Sequence, residues 1–219
     1  MKSKLIGSNK FLQVEEKIKQ YLNSFEKAEL GITGSARTTG DKIPLILSKV
    51  LESYLNGISQ KFILNISSKS MANFEFIDKQ NFHHFINVVT HNMDSGMSRP
   101  NLTSVDRLIN LYLNDMNYFI ILMVHYHKTR KSNYISSVKF SPIEHFSINC
   151  LGFGALGTGQ IQIIKASQID YKPQNRISWM IEFAEKLCEF YSKENQKSAI
   201  RLTKAIKLKN DWRNKISHY

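Results

Sequence analysis

The sequence predicts a mixed α/β fold, with a central sheet flanked by helices and a long C-terminal helical segment. Three observations predict it. The near-continuous apolar run NYFIILMVHY at 117–126 has the length and composition of a strand buried on both faces. Shorter stretches of strand character surround it at 61–66, 72–78, 82–90, 134–140 and 159–165. Apolar residues at helical spacing bracket these strands at both ends of the chain.

At the N-terminal end, Phe11, Val14, Ile18, Leu22 and Phe25 recur as one face of a helix over 10–29. GITGSARTTG (31–40) follows and reads as a loop. Asp41 is placed to cap a second helix whose apolar face carries Ile43, Ile46, Leu47, Val50, Leu51 and Tyr54. A further helix is expected from about Ser104 to Asp115, before the central strand. Residues 176–216 read as helix with one break. The organisation predicted is a single domain over 1–219: a helical part at 1–57, a sheet core at 58–170 and basic helices at 171–219.

With 219 residues, 42% of them hydrophobic, the chain can bury a sizeable core and lies outside the disordered class. The 30 Lys and Arg against 18 Asp and Glu give a net charge of +12, which favours a polyanionic partner over an acidic one. Eight basic and two acidic residues fall between Lys193 and Lys215, so half of the excess sits in the last helical segment. Lys197, Arg201 and Lys204 share a face there, which suits either a solvated outer helix or one that contacts phosphates. No signal-peptide pattern opens the sequence, and the longest apolar run, Tyr118 to Val124, is too short to span a bilayer. Cys150 and Cys188 form no disulfide framework. The expectation is a cytoplasmic protein with no membrane partner.

GFGALG (Gly152–Gly157) matches the dinucleotide fingerprint, with Asp170 at a tempting distance. The chemistry requires a helix N-terminus directly after the glycines to hold a pyrophosphate. TGQIQII follows instead and alternates like a strand, so a nucleotide-binding enzyme stands only as the alternative reading. His83, His84 and His91 flank one strand and His125 and His127 another; they fit polar or core roles better than metal ligation.

Three segments, in order, carry a resemblance. The first is FINVVTHN (Phe85–Asn92), shaped like a catalytic strand. The second is SRPNLTSVDRLINLY (Ser98–Tyr112), a run that opens the next helix. The third is SINCLGFGALGTGQIQI (Ser147–Ile163), a Gly-rich loop and strand, followed by NRISWMIEF (Asn175–Phe183). Together they resemble type II restriction endonucleases of the EcoRV/HincII-like group, in the PD-(D/E)XK nuclease superfamily. The resemblance implies a restriction-endonuclease-like fold, a homodimer, double-stranded DNA as partner and Mg²⁺-dependent phosphodiester cleavage. In that family two acids on adjacent strands hold the metal and a lysine two residues after the second acid positions the attacking water.

On this pattern the first acid falls at Asn73, the second at Asn87 and the lysine at Val89. Neutral amides are poor anchors for a hard cation, and valine cannot orient water. Three readings of the resemblance stand open: a cleavage-deficient relative, another register of the pattern along the strand, or an enzyme whose acids have migrated; for the last, Glu75, on the strand of Asn73, and Glu52, on the second helix, are the candidates, with Asp78 and Asp94 behind them. For DNA contact the resemblance points to the loop from Asn149 through Gly154, Ala155 and Gly157. Gln160 and Gln162 follow on one strand face, where a glutamine can pair with adenine. Arg99 and Asn101, beside Pro100, are placed near the groove, and Arg37 reads as a phosphate clamp.

Overall fold

The computed structural model describes residues 9–64, 70–95, 99–154, 159–166 and 169–216, with backbone alone for 9 and 211–216. The chain divides into two compact units, Met1–Gln174 and Asn175–Tyr219.

The first unit opens with helices α1 (Asn9–Asn23), α2 (Ala36–Leu47) and α3 (Leu51–Tyr54). Strands β1 (Ser59–Leu64), β2 (Phe74–Asp78), β3 (His83–Asn92) and β4 (Asn101–Ser104) lead to helix α4 (Val105–Tyr112). Strands β5 (Asn117–Tyr126), β6 (Ile135–Pro142), β7 (Leu151–Gly154) and β8 (Gln160–Ile163) complete it. The larger sheet runs β1-β2-β3-β5-β6, and the smaller one β4-β8-β7. Among the described strands only β3 and β5 pair in parallel, residue for residue from His83↔Asn117 to Asn92↔Tyr126. Their crossover carries β4 and α4, so the small sheet grows out of the connection between the two central strands.

The expected mixed α/β class, with its central sheet, flanking helices and long C-terminal helix, is what the chain adopts. Alternation along β3 and β5 divides the large sheet into two faces. Ile86, Ile120, Leu122 and Val124 share one core with Phe74 and Phe76 of β2. Phe11, Val14, Ile18 and Leu22 of α1, Ile43 and Leu47 of α2, and Leu51 of α3 cover that face. On the opposite face Val89, Phe119, Ile121 and Met123 are also buried, on the side where α4 packs against β5.

The N-terminal boundaries differ from those expected. α1 stops at Asn23. α2 begins at Ala36, five residues before Asp41, because Ser35 Oγ accepts the Thr38 N–H at 3.1 Å and caps the helix. Asp41 thus lies inside α2, and a turn at 48–50 separates α2 from α3. The second unit holds α5 (Arg176–Ile216), capped by Asn175 Oδ1, which accepts the Ser178 N–H at 2.9 Å. It runs 41 residues without the expected break; the segment contains neither Gly nor Pro to interrupt it. Among the described residues no helix is long and apolar enough to cross a membrane.

A polar sheet face and the cavity beside it

On β3, residues 85, 87 and 89 point away from the core shared with α1–α3. Asn73, just before β2, is committed to the backbone: its N–H donates to Ile86 O at 2.9 Å and its Oδ1 accepts the Val88 N–H at 2.7 Å. Asn87 Nδ2 donates to Leu102 O at 3.0 Å, tying β3 to β4. Val89 is buried, opposite Met123 in the ladder and between Asn87 and His91 on its strand face. The residues at the expected acid, acid and lysine positions are therefore two amides engaged with main chain and one core side chain. They do not fit Mg²⁺, which needs charged oxygens.

The two candidate migrated acids do not meet. Glu75 lies opposite Phe85 in the β2–β3 ladder, with His83 Nε2 3.1 Å from its Oε2. Glu52 is exposed on α3, one of the helices covering the other face of the sheet. Asp78 is buried; its Oδ1 accepts the N–H groups of Gln80 and Phe82, and its Oδ2 meets His84 Nε2 at 3.1 Å. Asp94 accepts from the N–H groups of Lys128 and Thr129 and stands 2.7 Å from His127 Nδ1. This set of donors holds its carboxyl far below the usual carboxylate range, His127 contributing most. Both acids thus secure turns. Among the described residues no group of three or more His, Cys, Asp or Glu is arranged to hold a metal.

The histidines are likewise built in. Burial lowers His84 to about 4 against the opposing hydrogen bond to Asp78, and its ring stacks on Phe76 at 4.4 Å. His125 places Nε2 2.9 Å from Ala166 O, which can only accept, so Nδ1 accepts from Ser137 Oγ at 2.8 Å. Desolvation lowers both His91 and His125, whose rings meet edge-on at 5.8 Å.

The small sheet brings the predicted reading residues together. β8 alternates as expected: Ile161 and Ile163 are buried, whereas Gln160 and Gln162 face partly outward. Asn101 of β4 lies opposite Gln162 and accepts from its Nε2 at 2.8 Å. Ser104 and Gly154 flank Gln160, and Gly152 flanks Gln162 on the other side. The result is a strip of carboxamides bordered by glycines. Gly152 has a packing reason as well, since a Cβ there would stand 2.5 Å from Ile164 Cγ2. Asn149, in the turn before β7, is exposed, as is Arg99 before β4. Ala155 and Gly157 lie outside the described residues. Arg37 is exposed in the first turn of α2, 3.9 Å from Asp41, on a helix that covers the far face of the sheet. After Gly152 and Gly154 the chain enters β8 at Gln160, so the helix N-terminus that a dinucleotide site needs does not follow.

An open cavity of about 440 Å³ joins this strip to the β3 face. Asn87, Gln160, Leu102, Thr103, Ser104, Arg107, Ser70 and Met71 line it. Sequence reasoning named Asn87 and Gln160 separately and missed Thr103, Ser104 and Arg107. The available signal was Ser104 as a helix cap, which puts Arg107 in the first turn of α4; Ser104 Oγ accepts the Arg107 N–H at 3.4 Å. Neither a family model nor a curated protein matches this chain.

Proposed function

We propose that the chain binds double-stranded DNA as a homodimer, reading sequence with the polar face of the small sheet, and that it does not cleave the strand. The alignment of Asn101, Gln160 and Gln162 on one partly exposed face carries this reading. Carboxamides are the side chains that pair with adenine edges in the major groove. The neighbouring Gly154 adds no side chain that would hold a base edge away. The net charge of +12 supplies the general attraction to phosphates. The resemblance to type II restriction endonucleases points the same way, and a two-fold dimer would match a palindromic site. Loss of cleavage rests on chemistry: Asn73 and Asn87 are neutral and tied to backbone, and Val89 is apolar.

A salt-titrated gel shift on duplex pools, with selection of bound sequences, tests recognition. Enrichment of a palindromic, adenine-containing site is the expected result; no retention of any duplex at low salt defeats the reading. Plasmid incubation with Mg²⁺ or Mn²⁺ tests the second half. Nicking that disappears in Glu75→Gln would show that the acids had migrated.

A further inference from the structure

The cavity between the β3 face and the small sheet has the features of an anion site. Thr103 lines it, is only 4% exposed, and its hydroxyl has no hydrogen-bond partner among the described residues. A buried hydroxyl left without a partner costs stability, so an occupant that supplies one is favoured. Arg107 lines the same cavity from the first turn of α4, and among the described residues its guanidinium has neither a carboxylate nor a carbonyl partner. Ser104 Oγ accepts the Arg107 N–H, which leaves its own proton to donate elsewhere. The first turn of α4 adds the positive end of a helix dipole, although its Val105 and Arg107 N–H groups already donate to Gly159 O and Ser104 Oγ. Asn87 uses one amide proton on Leu102 O, and Ser70 also lines the cavity. The inventory is one fixed cation and several hydroxyl and amide donors. That set suits a tetrahedral oxyanion better than a metal or an apolar ligand.

We propose that this cavity seats one phosphate of the DNA backbone, gripped by Arg107 and by the Thr103 and Ser104 hydroxyls. This rests on the DNA reading above and adds to it a division of labour. Gln160 and Gln162 face the bases, while the cavity next to Gln160 fixes the strand's register without reading its sequence. Such a phosphate would lie against Asn87, at the strand face where cleavage chemistry is missing. Seating would then be strong without activating the bond.

Two measurements on the full chain test this. The first follows thermal unfolding in inorganic phosphate against sodium chloride of matched ionic strength. Wild type should be stabilised selectively by phosphate, Arg107→Ala should lose the effect, and Thr103→Val should weaken it. The second follows duplex affinity against salt. Arg107→Ala should weaken binding about tenfold at low salt for unrelated sequences alike, and lower the slope of log K on log salt by about 1. Arg107 is exposed, so folding of that variant is not at issue. Wild-type duplex binding that Arg107→Ala leaves unchanged in affinity and slope overturns the phosphate seat while sparing the groove reading. Phosphate stabilisation without any duplex binding overturns both assignments to DNA, and leaves a site for another phosphorylated ligand.

Discussion

Individual side chains at positions 73, 87 and 89 set what two acids and a lysine there would cost. Asn73 acts through Oδ1 as an acceptor for the Val88 N–H, a role that a carboxylate fills equally well. Asn73→Asp should therefore leave the midpoint of denaturant unfolding nearly unchanged. Asn87 acts as a donor to Leu102 O, and a carboxylate there would face a carbonyl oxygen. Asn87→Asp should cost about 1–3 kcal/mol at neutral pH, the range for a broken buried hydrogen bond, and should recover as the acid is protonated. Val89→Lys would place an ammonium at a position only 5% exposed and should be the least stable of the three. Equal stability of all three variants would contradict this ordering. Gly152 presents the reverse case: a methyl group on its Cα would meet Ile164 Cγ2 at 2.5 Å, which leaves no room for alanine. Gly152→Ala should lose about 1–3 kcal/mol through overpacking. His84 sets a pH dependence. Its folded value of about 4 lies below the unfolded value of about 6.5, so the unfolded chain binds the extra proton. The stabilising contribution is complete above roughly pH 6.5, declines as pH falls towards 4, and is lost below that. The full change is on the order of 3 kcal/mol. A proton NMR titration placing the His84 midpoint at or above 6.5 would contradict it.

At the level of elements, α1 guards the exposed edge of the large sheet. β6 is an outer strand, and its free main-chain groups are a template for pairing with another chain. Glu15 of α1 accepts the Phe140 N–H at 2.8 Å and pairs with Lys139 at 3.2 Å. Asn23 donates to Ile135 O at 3.1 Å and accepts the Ile135 N–H at 3.0 Å. Replacing both by alanine should lower stability by about 1–3 kcal/mol per orphaned group and raise the tendency to associate, readable by light scattering on mild heating. Unchanged scattering would show that the edge is protected by other means. The elements also show what the sequence can and cannot convey. β5 was legible to the residue, because a strand buried on both faces leaves an unbroken apolar run. The start of α2 was not, because Ser35 disappears among the glycines and threonines around it. β4 (NLTS) and β7 (LGFG) lack the apolar–polar alternation that QIQI shows in the equally short β8. The outward face of Gln160 and Gln162 was readable from alternation, but their meeting with Asn101 was not. That depends on the register of β4 against β8, which are far apart in the chain. Arg107 escaped for the same reason: its cavity exists only once the small sheet folds back beside β3.

For the molecule as a whole, charge and shape make separable predictions. A net charge of +12 attracts any duplex, so weak binding should be widespread and steeply salt-dependent. That attraction cannot distinguish sequences; in the proposed reading the carboxamide strip supplies donors and acceptors for base edges. Substitutions on the strip and substitutions of the α5 cations should therefore fail in different ways. Gln162→Ala removes one potential base contact and also the partner of Asn101 Oδ1. It should reduce preference for the selected site by about 1–3 kcal/mol, while binding to unrelated duplexes stays within a factor of about two and the salt slope is preserved. Neutralising Lys197, Arg201 and Lys204 on the exposed face of α5 should do the opposite if that helix touches backbone. Affinity would fall for every sequence alike, the slope would drop by up to about 3, and the ranking of sites would stay the same. Competition binding of each variant against selected and scrambled duplexes at several salt concentrations separates the two outcomes. If Gln162→Ala weakened all duplexes equally and left site preference intact, the small sheet would be contributing attraction without reading bases, and recognition would have to lie elsewhere on the molecule.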